Sequence, residues 1–187
     1  QTGSPLSAEG FEYAYQEIKK DLHFNSISGG TDINGCFAAG SPTIPVYAGE
    51  LQGPGLAMKV KAYDEKGKPI YDREGELVCE APAPPMPLYF WNDPKGEKYR
   101  SAYFEFYPNV WRHGDYIVMH KDTGGLTFYG RSDAVLKPSG VRIDTAEIYN
   151  KVEKLTEIAD KPRPQPRDLP CDAVTGQAAD NRATGCN

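Results

Sequence analysis

Long apolar runs are missing from this sequence: no stretch approaches the ~18 consecutive apolar residues of a membrane-spanning helix. An excess of base is missing too. Against 26 Asp and Glu stand 21 Lys and Arg, for a formal net charge of −5 at pH 7, so neither nucleic acid nor an anionic membrane surface is an expected partner. The four cysteines, Cys36, Cys79, Cys171 and Cys186, lie far apart and form no CxxC pair. That removes support for a disulfide scaffold or a structural zinc site and points to isolated thiols in a reducing compartment. His23, His113 and His120 show no HExxH spacing and read as satisfied or surface residues rather than metal ligands. There is no G-x-S-x-G nucleophile elbow. Gly29-Gly30-Thr31 lacks the GK[ST] of a P-loop, and Gly53-Pro54-Gly55 is followed by Met58 where a dinucleotide fingerprint needs glycine. Neither an N-x-S/T acceptor nor a basic-then-apolar leader occurs, so the cytosol is the expected address. The first residue is Gln1 rather than Met, and the natural start is expected to lie elsewhere.

What is present is enough apolar material for one domain. Of 187 residues, 39% are hydrophobic and 11% aromatic, with 19 Gly and 16 Pro that favour a turn-rich, β-leaning fold. Every aromatic lies before Asp160. The segment 161–187 cannot bury enough surface to offset its ordering entropy and is expected to be a disordered tail. Its prolines 162, 164, 166 and 170 suit either a polyproline ligand of an SH3-type partner or a flexible end with no partner.

Two segments have helical periodicity. Ser7 can cap a helix whose Phe11, Tyr15 and Ile18 share one face, with Lys19 and Lys20 in its last turn. A second helix is expected from about Asp144, with Glu147 at capping-box spacing and Ile148, Val152 and Leu155 as its stripe. Between them the signal is β. Leu56, Met58, Val60 and Ala62 alternate with polar residues through Tyr63, Asp64–Gly67 supplies a turn, and Glu76–Cys79 reads as a later strand. Asp115–Met119 and Leu126–Tyr129 bracket a Lys121–Gly125 turn as a hairpin. The Pro-rich stretch 82–87 should be loop or edge.

Small polar clusters recur in order along the chain. Gly3-Ser4-Pro5 is a tight turn by itself. Ser28-Gly29-Gly30-Thr31-Asp32 can offer donors to a phosphate and an oxygen ligand to Mg²⁺, although such a loop is more often plain. His113-Gly114-Asp115 places a carboxylate able to accept from both hydroxyls of a ribose. Gly130-Arg131-Ser132-Asp133 and Ser139-Gly140-Val141-Arg142-Ile143 each set an arginine beside glycine, a pattern that begins to suit a nucleotide.

Taken in sequence and followed by Glu147-Ile148, these clusters resemble the adenylate-forming acyl-CoA synthetase superfamily. The strings TGSPLS, SISGGTDI, PVYAGELQ, ELVC, FWND, AYF, HGDY, YGRSDAVLKPSGVRI and AEIY resemble, within it, the acetoacetyl-CoA synthetase family. The resemblance covers about residues 2–160. It implies an α/β fold class, present here as an α+β fragment. Residues 1–45 would end the large adenylate-forming domain, and 46–131 would form a β-rich subdomain. The hinge and the start of the small lid domain would occupy 132–160, and 161–187 is unlike the family.

The resemblance further implies roles for single residues. Gly3, Ser4 and Pro5 would pack on adenine, Thr31 would contact the phosphate, and Asp32 would be the Mg²⁺ ligand, where relatives commonly carry the longer glutamate. Asp115 and Arg131 would hold the ribose and Arg142 the phosphate. Ser139 and Gly140 would belong to the coenzyme A loop, and Asp133 to the hinge. Acetyl-CoA synthetases carry Trp at the position of Ser28; Ser28 and Gly29 would therefore leave room for acetoacetate. Asp144, where relatives usually have glycine, is read as a helix cap, and Lys137 stands where asparagine is common. The family's phosphate loop and its lid lysine have no counterpart in this sequence. The expected activity is acid–CoA ligation using ATP, Mg²⁺ and coenzyme A, with this chain silent in catalysis alone. A propionate- or acetate-specific ligase and a non-enzymatic binding module built on the Pro-rich segment remain as alternatives.

Overall fold

In the computed structural model the described residues are 1–132, all within one compact unit, Gln1–Asn150; a second unit, Lys151–Asn187, lies wholly outside them. Asp133, Lys137, Ser139, Gly140, Arg142, the helix expected from Asp144, the Pro-rich segment, Cys171 and Cys186 therefore fall outside the described residues. Within 1–132, Cys36 and Cys79 are free thiols.

The Ser7 hydroxyl accepts from the Gly10 amide at 3.3 Å and starts α1, Ala8–Tyr13. The helix then widens into a π-helical turn, Ala14–Ile18, closed by the Lys19 amide donating to the Ala14 carbonyl at 3.1 Å. An i→i+5 turn lags behind 3.6 periodicity. Phe11 and Ala14 are consequently buried, whereas Ile18, expected on the same face, is 69% exposed. Lys19 is already extended, so neither lysine occupies the last turn as the sequence suggested.

The next segment forms a three-stranded antiparallel sheet of β1 (Ser28–Gly30), β2 (Gly35–Ala39) and β3 (Gly53–Pro54). Strand β1 meets β2 so closely that a Cβ on Gly29 would lie 2.0 Å from the Gly35 carbonyl oxygen. Ile33, fully buried in the connecting turn, anchors it from below and leaves Thr31 and Asp32 exposed on top.

The alternation read from Leu56 begins later than expected. A turn with Ala57 at φ +62° and the Met58 amide on the Gly55 carbonyl carries the chain from one sheet to the other. Leu56 is 99% exposed, and the ladder starts at Val60. The second sheet, also antiparallel, comprises β4 (Val60–Tyr63), β5 (Pro69–Ile70), β6 (Glu74–Cys79), β7 (Trp111–Met119) and β8 (Leu126–Arg131) in the order β5-β4-β6-β7-β8. The turns at Asp64–Gly67 and between His120 and Gly125 form as expected, with Gly67 and Gly124 at positive φ. Residues 82–87 are loop. A bridge between Leu51 and Leu126 ties the sheets together. The core between them holds Phe37, Leu51, Val60, Leu77, Trp111 and Leu126.

Helix α2, Glu97–Tyr103, is not among the helices expected from the sequence. Gly96 precedes it at φ +67°, and the Asp93 carboxylate accepts from the Tyr99 amide at 3.0 Å. That bond, opposed by desolvation and aided by the Lys98 and Glu97 amides, holds the Asp93 carboxyl below the usual range. A lowered carboxyl pKa stabilises the fold above the unfolded value of about 3.9 and loses that contribution as pH falls through the folded one. Amide protection across Glu97–Tyr103 is thus expected to drop on acidification below about pH 4. Asp93→Ala should show low protection at neutral pH already, with no further acid-dependent loss, when measured by hydrogen exchange.

Candidate functional site

A bulge creates the site. On β6, Glu76 pairs with Tyr116 and Val78 with Arg112, so Leu77 alone faces the three residues His113, Gly114 and Asp115 of β7. Extra residues opposite one partner are pushed out of the ladder, and Gly114, at φ +85°, supplies the left-handed conformation this needs. A second irregularity lies between β7 and β8. Ile117 pairs with Phe128, yet Tyr116 pairs with Gly130 and Asp115 with Arg131. Without that extra residue Asp115 would face Gly130, and the Arg131 side chain would fall on the other surface. Gly130, at φ +115°, takes up the distortion.

Asp115 and Arg131 thereby become cross-strand neighbours. Asp115, a largely buried carboxylate, has Oδ1 3.7 Å from an Arg131 guanidinium nitrogen and Oδ2 3.7 Å from His113 Nε2. Arg131 also donates to the His113 carbonyl at 3.1 Å and lies so near the backbone that a Cβ on Gly114 would sit 2.8 Å from its guanidinium. His113 in turn packs on Phe37, with ring centroids 4.4 Å apart, and its ring lies where a Cβ on Gly30 would come within 3.1 Å. Through His113, therefore, the 28–32 cluster meets the 113–115 and 130–131 clusters.

Behind the bulge, buried Glu76 accepts from Arg112 at 3.1 Å and from the Ser132 hydroxyl at 2.8 Å. The Ser132 amide donates to the Gly114 carbonyl at 2.7 Å. One carboxylate thus braces the segments on either side of the Asp115–Arg131 pair.

On the far side of the 28–32 cluster, the Tyr103 hydroxyl donates to Asp32 Oδ2. Burial, reinforced by the Asp32 acceptor, pushes the Tyr103 phenol well above its ordinary pKa, so it is a donor at neutral pH. Asp32 itself is exposed. Among the described residues no group of three or more His, Cys, Asp or Glu converges to hold a metal. One accessible carboxylate still suits Mg²⁺, which keeps several waters and takes one or two carboxylates together with phosphate oxygens.

Gly3-Ser4-Pro5 is exposed and anchored beside the approach to β1. The Gln1 side chain donates to the Ser4 carbonyl at 2.7 Å, while the Gln1 carbonyl accepts from the Ile27 amide at 3.0 Å. Ser28 is half-buried on β1. Gly29 is explained by the hairpin, since any side chain there would strike Gly35, which leaves Ser28 as the residue able to set pocket size. Sequence reasoning gave Tyr103, Glu76 and Arg112 no role in this neighbourhood, although Tyr103 lies in the AYF string of the family resemblance. The one local hint was Tyr99 and Tyr103 at helical i, i+4 spacing after Asp93.

No family model matches the chain. Two solved structures share its architecture: acetoacetyl-CoA synthetase from Streptomyces lividans, at TM-score 0.74 and 47% identity over 82% of this chain, and an anthranilate CoA ligase in complex with anthranoyl-AMP, at TM-score 0.62 and 23% identity over 79%. The fold is that of a segment of the adenylate-forming enzymes, mixed helix and open sheet. The chain's homologues within that class are acetoacetyl-CoA synthetases: it is 55% identical over 159 residues to the one from Rhizobium meliloti (strain 1021), and 52% identical over the same length to the one from Rattus norvegicus. These alignments take in 85% of this chain but 24% of each relative, so the chain spans about a quarter of the length of the curated relatives it matches.

Proposed function

We propose that this chain carries the nucleotide- and acyl-binding segment of an AMP-forming acid–CoA ligase that acts on acetoacetate in the cytosol. The parent reaction joins ATP and acetoacetate to an acyl-adenylate with release of diphosphate; the thiol of coenzyme A then displaces AMP to give acetoacetyl-CoA. The observation that carries the reading is the convergence of Gly30, His113, Asp115 and Arg131 from three separated clusters. In this reading Asp115 accepts from the ribose hydroxyls and Arg131 sits beside them. Gly3-Ser4-Pro5 packs on adenine, Thr31 donates to the phosphate, and Asp32 is the residue that would hold Mg²⁺. That ion supplies neutralisation of phosphate charge when bound. Arg142 is assigned to the phosphate, Ser139 and Gly140 to coenzyme A, and Asp133 to the hinge. Residues 1–45 then close the large domain, 46–131 form the β-rich subdomain and 132–160 open the lid. Most of the first step is positioning and charge stabilisation, which backbone and Arg contacts of this kind provide.

Calorimetric titration with a non-hydrolysable acetoacetyl-adenylate mimic and its acetyl counterpart tests the substrate class. The expected result is a preference of about tenfold or more for the acetoacetyl form, the usual size of discrimination by a few pocket atoms. Ser28→Trp should reduce or reverse it. An unchanged preference in Ser28→Trp would remove Ser28 from the acyl pocket.

A further inference from the structure

Tyr103 contributes a group that the roles above leave unused. Its ring is buried at the end of α2 and lies flat on Trp111, with centroids 3.7 Å apart and planes 12° from parallel. Phe90 and Tyr99 press on it edge-on at 5.9 and 5.8 Å. These contacts restrict the ring, so the position of its hydroxyl is largely set by the core. That hydroxyl donates to Asp32 Oδ2, across 71 positions of sequence.

Asp32 is in the opposite situation. It stands exposed at the top of the β1–β2 turn, where the backbone is held by the Asn34 amide on the Gly30 and Thr31 carbonyls and by buried Ile33. A short carboxylate there would otherwise turn freely in solvent, and fixing it on binding would carry the entropy of a lost rotamer. Mg²⁺ demands near-octahedral geometry and gives up water reluctantly, so a loosely aimed carboxylate serves it poorly.

We propose that Tyr103 is a positioning residue for the divalent cation of the bound nucleotide: its hydroxyl fastens one oxygen of Asp32 and leaves Oδ1 to face Mg²⁺ or a water of its shell. The inference rests on the assignment of Asp32 made above and extends it into the core, because α2, Trp111 and Asp93 then all contribute to aiming one carboxylate.

The test is the affinity of the full chain for ATP, measured by calorimetry in Mg²⁺ and again in EDTA; the ratio of the two is the gain due to metal. Tyr103→Phe keeps the ring on Trp111 and removes only the hydroxyl. It should cut that gain about tenfold, the effect of losing one hydrogen bond to a charged group. Affinity in EDTA and the far-ultraviolet circular dichroism should stay unchanged. In an Asp32→Ala background, Tyr103→Phe should have no further effect, as a double-mutant cycle requires of two residues acting through one contact. A gain lost in Asp32→Ala but kept in Tyr103→Phe would overturn the role of Tyr103 and leave the Asp32 assignment standing. Equal weakening with and without metal would make Tyr103 structural and also overturn it. Absence of any gain in the unsubstituted chain, or its survival in Asp32→Ala, would overturn both.

Discussion

Trp111→Ala is expected to destabilise the chain by about 3–5 kcal/mol, the range for truncating a buried large aromatic. Whole domains are held by only about 5–15 kcal/mol, so the loss removes a large fraction of the margin and should lower the urea midpoint markedly. The reason is the position of the indole. It is fully buried, stacks on Tyr103 and takes the edges of Tyr99 and Phe104 at 6.1 and 5.8 Å. Its backbone pairs with Cys79 at the base of the bulge. Alanine would open a cavity between α2 and the five-stranded sheet and release the Tyr103 ring. Trp111→Phe should be much milder. Nε1 of Trp111 is buried with no hydrogen-bond partner, and removing an unsatisfied donor recovers about 1–3 kcal/mol, which offsets part of the lost packing. Urea unfolding of the two variants measures both effects; equal losses would show that the cavity outweighs the orphaned donor.

Asp115→Ala should weaken ATP binding roughly ten- to a hundredfold, because charge-assisted hydrogen bonds contribute about 1.5–3 kcal/mol each. The carboxylate lies between the Arg131 guanidinium and the His113 ring, and its loss also leaves that pair of cationic or polar groups facing each other. Asp115→Asn retains one acceptor and should fall between the two. Arg131→Lys should weaken binding as well, since a point charge cannot reproduce the planar contact with the His113 carbonyl and the Gly114 backbone. Calorimetry at fixed ionic strength measures all three. ATP affinity unaltered in Asp115→Ala would remove the ribose assignment.

Local chemistry was readable in the sequence wherever it acts over a few residues. The Ser7 cap, the Asp64–Gly67 turn and the hairpin around Gly124 are all contained in short windows, and all three form. Features decided by distant neighbours were not readable. The π-helical turn displaces Ile18 although its spacing from Phe11 looks helical. Leu56 keeps the strand alternation but lies in the crossover between sheets. The same division runs through the site. The chemistry of Asp115 and Arg131 is visible in their types and their glycine neighbours, and the hairpin makes them approach. That they end on the same surface depends on one extra residue in β8, which periodicity does not reveal. The Tyr103–Asp32 bond links two segments whose local patterns contain no sign of one another.

The long reach of those links has a kinetic meaning. Asp32 meets Tyr103 across 71 positions, and Glu76 meets Ser132 across 56. Closing loops of that length is among the slow steps of folding, because their entropy must be lost before the contact can reward it. A newly made chain that already has its α1 helix and its local turns would still lack a site, which appears only when β7, β8 and α2 dock on the earlier strands. Under the proposed function, nucleotide affinity would depend on these long-range closures, and a bound nucleotide would then act chiefly by slowing unfolding rather than by hastening the fold's formation.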